Sequence, residues 1–463
     1  MDAFDRERRL VVIGNGMVAA RLIARLIEQR AGWHITVFGD EPGVAYDRIK
    51  LSSVLAGDAG WDELPLHADD WYRAHGIDLR LGRRVVAVDR VRRTVTTGDG
   101  DETPYDHLVL ATGSSAVVLP VPGAALPGVV TFRTAADCRW LIEQAAPGRR
   151  AAVIGAGLLG LEAARGLQRR GMSVTVVHLV DRPMERQLDA GGGAQLARDL
   201  RGQGIDLLLD TATEAIVGDH RAAGLRFRGG RELAADLVVM AAGIRPNAEL
   251  GRAAGLDCGR GVRVDDQLLT SDPCVSAVGE CAEHRGTCYG LVAPLYQQAD
   301  VLAARLCGRD GPGYAGTATS TRLKVSGIDV FSAGDPVEHD GDDVLRMQDS
   351  GLGIYRKAIV RDGRLIGAIL VGDPAPAAAV DALLRSGRPL ADADRGLLAA
   401  AGAPANAVDP LAAAEALAAD AIVCGCNGVA KQTIVDAIAG GKLATRKQVA
   451  ACTNASRSCG GCG

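Results

Sequence analysis

The stretch RLVVIGNGMVAARLIARLIEQ, residues 9–29, opens on an apolar run from Leu10 to Ile13, breaks at Gly14-Asn15-Gly16, and continues with apolar residues at helical spacing. Gly14 permits a tight turn, and Gly16 lets a pyrophosphate approach the first amides of the helix, where the dipole favours an anion. Ala19 and Ala20 supply the small residues needed where helix meets strand. The next apolar strand, HITVF at 34–38, ends at Gly39-Asp40, and Asp40 stands where a carboxylate would hold a ribose hydroxyl. One glycine turn alone would serve any tight connection. Strand, turn, helix and acid together point to a dinucleotide.

The device recurs at 149–179, RRAAVIGAGLLGLEAARGLQRRGMSVTVVHL, where Gly155, Gly157 and Gly160 complete G-x-G-x-x-G and Glu162 follows. Two such folds in one chain predict two dinucleotides face to face, one flavin and one nicotinamide. At the end of the second fold's second strand, His178 replaces the usual acid, and Asp181 and Arg182 follow. An acid selects a free 2′-hydroxyl and an arginine a 2′-phosphate, so this stretch points both ways, to NADH or NADPH, with NADH favoured.

A chain of 463 residues is long enough for about three domains. Its net charge of -4, with no long basic run, argues against nucleic acid or an anionic membrane as partner. No apolar stretch approaches the roughly 20 residues that span a bilayer. The charged start, MDAFDRERRL, is not built like an export signal, so a cytoplasmic location is expected. In a reducing compartment, paired cysteines bind metal or carry redox chemistry more often than they form disulfides. Of the 11 cysteines, Cys138, Cys258, Cys274, Cys281, Cys288 and Cys307 are scattered and read as small buried side chains. The seven-residue spacing of Cys274, Cys281 and Cys288 invites a ligand reading, but no pair is as close as C-x-C or C-x-x-C.

Three further segments, YDHLVLATGSS (105–115), ADLVVMAAGIRPN (235–247) and TSDPCVSAVGECAEH (270–284), resemble the strand-and-glycine signatures of two-dinucleotide flavoprotein reductases. The resemblance implies FAD in the first fold, with flavin contacts at Ser53, Val85, Thr112, Gly113, Arg133, Gly279 and Glu280. It implies NADH or NADPH in the second fold, bordered by His178 and Gly243. Glu280 would take the ribityl chain, where most relatives carry Asp. The C-x4-C disulfide of glutathione-reductase-like members is absent. VAYDRIKLSSVLAG (44–57) instead resembles the flavin-facing segment of rubredoxin- and putidaredoxin-reductase-like enzymes. Those often carry Lys at the place of Ser53, which leaves Lys50 as the substitute beside the reactive nitrogen. Lys50 and Glu162 are thus the candidates for side chains at the reacting atoms.

LKVSGIDVFSAGD (323–335) and RKAIVRDGRLIGAILVGD (356–373) read as alternating strands with a D-G turn, and resemble the α+β interface domain of this reductase family. An Ala-rich stretch follows, part helix and part connector. The C-terminus holds CGC at 424–426 and CGGC at 459–462. Four cysteines suit tetrahedral zinc or a [2Fe-2S] cluster, and C-x-C at one end argues against a zinc ribbon. Val429, Ile434, Val435 and Ile438 read as one apolar helical stripe, and a second short helix carries Cys452 as a buried thiol. The tail closely resembles the bacterioferritin-associated-ferredoxin-like [2Fe-2S] domain, which implies Cys424, Cys426, Cys459 and Cys462 as ligands.

The fold expected is α/β: two Rossmann-like dinucleotide-binding domains, a small α+β interface domain and a small helical [2Fe-2S] domain. The boundaries expected are 1–117 plus 244–318 for FAD, 118–243 for NAD(P)H, 319–372 for the interface domain, 373–420 for the connector and 421–463 for the cluster. The ordered set AYDRIKLSS, AVGECA, YGLVAP, LKVSGIDVFSAGD and CGCNG resembles the N-terminal half of NAD(P)H nitrite reductase large subunits. The siroheme module of those proteins has no counterpart in these residues. The chain therefore resembles the electron-transfer subunits of assimilatory nitrate reductases, which implies electron delivery to a molybdopterin catalytic subunit. A reductase for a ferredoxin, an oxygenase or a separate nitrite reductase is the alternative within the enzyme class. An iron- or redox-sensing interaction protein is the alternative outside it.

Overall fold

The computed structural model describes residues 8–456 except 310, 318–319, 326–327, 374, 400–413, 416, 425–427 and 442. Strand Arg8–Ile13 lies at the centre of a five-stranded parallel sheet, between His107–Leu110 and Trp33–Phe38, with Val275–Ala277 and Asp78–Arg80 at the edges. Strand Arg150–Ile154 occupies the same place in a second parallel sheet, flanked by Leu237–Met240 and Ser173–Val177, with Val129–Thr131 and Ile205–Leu208 outside. The apolar runs are continuous because both faces of each central strand are covered. Leu10 and Val12 enter one core and Val11 and Ile13 another, while Ala151 and Val153 enter a different core from Ala152 and Ile154.

The chain passes between the two folds along Ser114–Ala116 and Ile244–Pro246, which pair antiparallel. The third sheet is antiparallel, ordered Ser320–Val325, Ile328–Gly334, Arg364–Val371, Ile354–Arg361 and Asp343–Asp349. Its predicted D-G turn, Asp362-Gly363, has φ of 50° and 72°, the left-handed pair that a tight hairpin requires. One face of this sheet, through Val330, Tyr355, Ile369 and Val371, joins the core of the second fold. The other face is covered by helix Ala377–Ser386, which buries Ala377, Val380 and Leu383 against Phe331 and Leu370. The first part of the expected connector is thus packed helix.

In the C-terminal region, strand Ile422–Cys424 pairs with Val429–Ala430, ahead of helices Lys431–Gly441 and Arg446–Thr453. Two expectations are corrected here. Val429 belongs to the hairpin and not to the helical stripe, and only Ile434 of the helix packs onto Cys424, Val429 and Ala455. Val435 and Ile438 are exposed, because a two-helix unit of this size has too little interior to cover a full stripe. Cys452 lies on the second helix but faces solvent, so it is not the buried thiol expected.

Candidate dinucleotide and redox site

The first glycine turn is forced by contact as well as by conformation. Gly14 has φ of +113°, and a Cβ there would sit 2.1 Å from the Ala111 carbonyl oxygen on the adjacent strand. A Cβ on Gly16 would meet nothing within 4 Å, so the space over the helix start is open. Helix Met17–Glu28 has no side-chain cap at Gly16, which leaves its first amides available to an anion. Between the glycines, half-buried Asn15 has its Oδ1 and Nδ2 shielded from solvent and unpartnered. Buried amides are rarely left so; a phosphate oxygen over this turn would accept from Nδ2, while Oδ1, itself an acceptor, calls for a donor. The turn therefore fits a dinucleotide pyrophosphate.

Asp40, at the end of strand Trp33–Phe38, is exposed and lies 3.7 Å from Arg84. Its neighbour Glu41 is engaged elsewhere, by Tyr46 Oη at 2.8 Å and by Arg48. Burial pushes the Tyr46 hydroxyl up to about 12, and the same oxygen accepts the Ala135 amide. Thr112 and Gly113 are clamped to Asn247: Thr112 Oγ1 donates to the Asn247 carbonyl at 2.8 Å, and the Asn247 amide donates to the Gly113 carbonyl at 2.9 Å. Asn247 thus ties the return strand to the flavin fold.

Glu280 follows Gly279, whose amide donates to the fully buried Gln298 side chain at 3.0 Å. The Glu280 Oε2 accepts from Ser114 Oγ at 2.8 Å and pairs with Arg133. Arg133 Nε is buried without a partner. The two predicted residues Glu280 and Arg133 are therefore together, and Ser114 completes a polar cluster facing Gly113. Val85 is buried in strand Val85–Asp89, and Ser53 is half-buried on helix Leu51–Ala56. Lys50 turns toward Glu63, with Nζ 3.3 Å from its carbonyl oxygen and 3.8 Å from its carboxylate.

At the second turn, Gly155 has φ of +113° and a Cβ would come 2.4 Å from the Ala241 carbonyl oxygen, while the space at Gly157 is open. The third glycine is needed for a different reason. A Cβ on Gly160 would lie 2.0 Å from the Gly155 carbonyl oxygen, so only glycine lets helix Leu158–Arg169 pack this close. Glu162 is half-buried on that helix, one turn in from the turn itself. Gly243 is exposed with φ of +108° at the end of strand Leu237–Met240. His178 Nδ1 accepts the Ala156 amide at 3.2 Å, and its Nε2 donates to Glu185 at 3.0 Å. His178 is legible in the sequence from its place at the strand end, whereas Glu185, Asn15, Ser114 and Gln298 carry no such signal.

Of the four expected cluster ligands, Cys424 is buried at the end of its strand, and Cys426, Cys459 and Cys462 lie outside the described residues. The C-terminal hairpin lies against the first fold: a Cβ on Gly428 would come 3.6 Å from Arg21 Nη2. The carboxyl of Glu63 is lowered first by the Gly60 amide, then by Lys50 and by Lys447 of the last helix. Cys274, Cys281 and Cys288 form no disulfide, and among the described residues no group of three ligating side chains gathers around a metal position.

No helix among the described residues is long and apolar enough to cross a membrane. Three family models match the chain: pyridine nucleotide-disulphide oxidoreductase over residues 8–301, the rubredoxin NAD+ reductase C-terminal domain over 320–388, and the BFD-like [2Fe-2S] binding domain over 422–463. The nitrite reductase [NAD(P)H] of Bacillus subtilis is 44% identical over 98% of this chain and 56% of its own length. The assimilatory nitrate reductase electron transfer subunit of the same organism is 43% identical over 99% of this chain and 58% of its own. The chain therefore spans little more than half the length of these two relatives. Rhodocoxin reductase of Rhodococcus erythropolis is 36% identical over 69% of this chain and 78% of its own. Among solved structures, the covalent putidaredoxin reductase–putidaredoxin complex superposes with a TM-score of 0.78 at 27% identity, covering 89% of this chain and 100% of that one. The three matches stand in one order along the chain, and the first covers more than half of it; on these grounds the chain belongs to the pyridine nucleotide-disulphide oxidoreductase family.

Proposed function

We propose that this chain oxidises NAD(P)H on the second fold, transfers the electrons to FAD on the first, and passes them through a [2Fe-2S] cluster to a separate catalytic subunit, a molybdopterin nitrate reductase of the assimilatory kind. When bound, FAD accepts a hydride and the cluster carries single electrons. The protein supplies position. The amides after Gly16 and Gly157 would hold the two pyrophosphates, Asn15 Nδ2 would donate to the first, and Arg133 and Ser114 hold Glu280 where the ribityl chain would lie. Lys50, at the flavin-facing segment, is anchored to Glu63. Cys424, Cys426, Cys459 and Cys462 are the proposed cluster ligands, and a reducing cytoplasm is the compartment in which such paired cysteines hold a cluster.

The observation that carries this reading is the seat of the cysteine-bearing domain on the flavin fold, with Gly428 beside Arg21 and Lys447 near Glu63, the partner of Lys50. The relative named as an electron transfer subunit supports the choice of acceptor. The test is anaerobic. NADH or NADPH is expected to bleach both flavin and cluster absorbance, and adding the nitrate reductase subunit with nitrate is expected to restore it. Bleaching without reoxidation would reject nitrate reductase in favour of another acceptor protein. Absence of bleaching would reject the enzymatic reading altogether.

A further inference from the structure

The second glycine turn is held in a way that nothing in its motif requires. The Ala156 amide donates to His178 Nδ1 at 3.2 Å, and the Ala156 carbonyl accepts the Met184 amide at 3.0 Å. Met184, fully buried with φ of 52°, folds the loop after the second strand back onto the turn. Because Nδ1 accepts, the imidazole proton sits on Nε2 and is donated to Glu185 Oε2 at 3.0 Å. His178 has little exposure, at 11% of its side chain, whereas Glu185 reaches solvent at 33%. A carboxylate is thereby fixed beside the dinucleotide turn by a residue standing where the acid would ordinarily be.

Arg182 does not balance it, and Arg186, the residue after Glu185, is exposed and forms no ion pair with it. Arg182 is tied by Nε to the Leu188 carbonyl at 3.0 Å and by Nη1 to Asp181 at 2.7 Å, and its stem packs on Gly193. We infer that Glu185, positioned by His178, reads the adenosine ribose of the nicotinamide dinucleotide and selects NADH by bonding the free 2′-hydroxyl and repelling a 2′-phosphate. The inference rests on the proposed assignment of the second fold to NAD(P)H.

The test uses the full chain with its flavin and measures binding of ADP-ribose and 2′-phospho-ADP-ribose by titration calorimetry, beside KM and kcat for NADH and NADPH. The native chain is expected to bind ADP-ribose the more tightly. Glu185→Gln should weaken ADP-ribose about ten-fold, with the change in KM more than in kcat, and should narrow the gap to the 2′-phosphorylated fragment. His178→Ala should reproduce that loss, and the double variant should lose no more than either single one. Arg186→Ala, which alters an exposed charge next to Glu185, should leave the preference unmoved. If Glu185→Gln, with normal flavin content, leaves the two fragments' ratio unchanged, or if Arg186→Ala alone abolishes 2′-phospho-ADP-ribose binding, Glu185 is not the reader. If neither fragment binds the native chain, the assignment of the second fold to NAD(P)H fails with it, and the two failures are thereby told apart.

Discussion

Replacing Asp189 tests how firmly the antiparallel domain is locked to the second fold. Asp189 Oδ1 accepts the Gly192 amide at 3.0 Å and caps helix Ala190–Gly202. Its Oδ2 accepts Tyr355 Oη at 2.6 Å and pairs with Lys357 Nζ at 3.1 Å, both on the third sheet. Lys357 is only 4% exposed, with Glu338 at 3.4 Å as its second anion. Burial raises the Asp189 carboxyl, but Tyr355, Gly192 and Lys357 together outweigh it and leave the group below its ordinary range. Asp189→Ala removes a cap worth about 1 kcal/mol. It also removes a charged hydrogen bond of about 1.5–3 kcal/mol and leaves a buried ammonium with half its compensation. These losses overlap, so the expected cost is about 3–5 kcal/mol. Hydrogen exchange of the amides in Ile354–Arg361 reads it locally, which matters because a chain of several domains does not unfold in one step. Protection there should fall by about two orders of magnitude or more. Adding Lys357→Met should recover most of it, since removing both charges is milder than stranding one. Exchange within a factor of about two of the native chain would show that the ion pair behaves as a surface contact and refute the reasoning.

Gly14→Ala and Gly155→Ala should separate the two dinucleotides: the first is expected to yield protein lacking the flavin spectrum, the second flavin-replete protein that NADH no longer reduces. Cys459→Ser should abolish electron delivery to the acceptor protein while leaving NADH-dependent ferricyanide reduction largely intact, and equal loss of both would place the damage at the flavin. His107, buried and bonded to Ser276 Oγ at 2.9 Å, has its pKa lowered by burial to about 4. A histidine depressed on folding contributes stability above its unfolded value near 6.5 that is lost as pH falls toward about 4, a range of roughly 3 kcal/mol at most. Thermal scans at pH 7 and pH 4.5 should show a smaller drop for His107→Asn than for the native chain, and equal drops would remove His107 as a cause.

The parts legible in the sequence were those where one residue type meets one local demand. Gly14, Gly155 and Gly160 face backbone oxygens within 2.4 Å of where a Cβ would be, and no other side chain fits. The Asp362-Gly363 hairpin is similar, since two successive positive φ values can be read from the dipeptide. What could not be read depends on partners distant in sequence. Ser114 and Arg133 meet Glu280 only because two sheets and their crossing strands converge, across 166 and 147 positions. Apolar spacing also says which residues share a helix face but not whether anything covers that face, and so Val435 and Ile438 looked like core. Glu185 was missed although it is only seven positions from His178, because the loop between them turns at a buried methionine in the left-handed region, where a sequence gives no warning.

The two glycine folds have the same strand order around their central strands, and they differ at the ends of their second strands. In the first, Glu41 is consumed by Tyr46 and Arg48, and Arg48 also donates to the Arg133 carbonyl at 3.1 Å. That carboxylate therefore holds the flavin-facing segment to the next domain, and Asp40 is the one left facing outward. In the second, the strand ends in a histidine that holds Glu185, and the loop carrying it runs directly into Asp189, the residue locked to the third sheet. The antiparallel domain thus does more than close the molecule: through Asp189 it fixes the far end of the loop on which coenzyme choice is inferred to rest. The two copies of the fold thus differ in what the strand end is tied to as well as in the turn itself, which carries Asn15 in the first and Ala156 and Gly160 in the second.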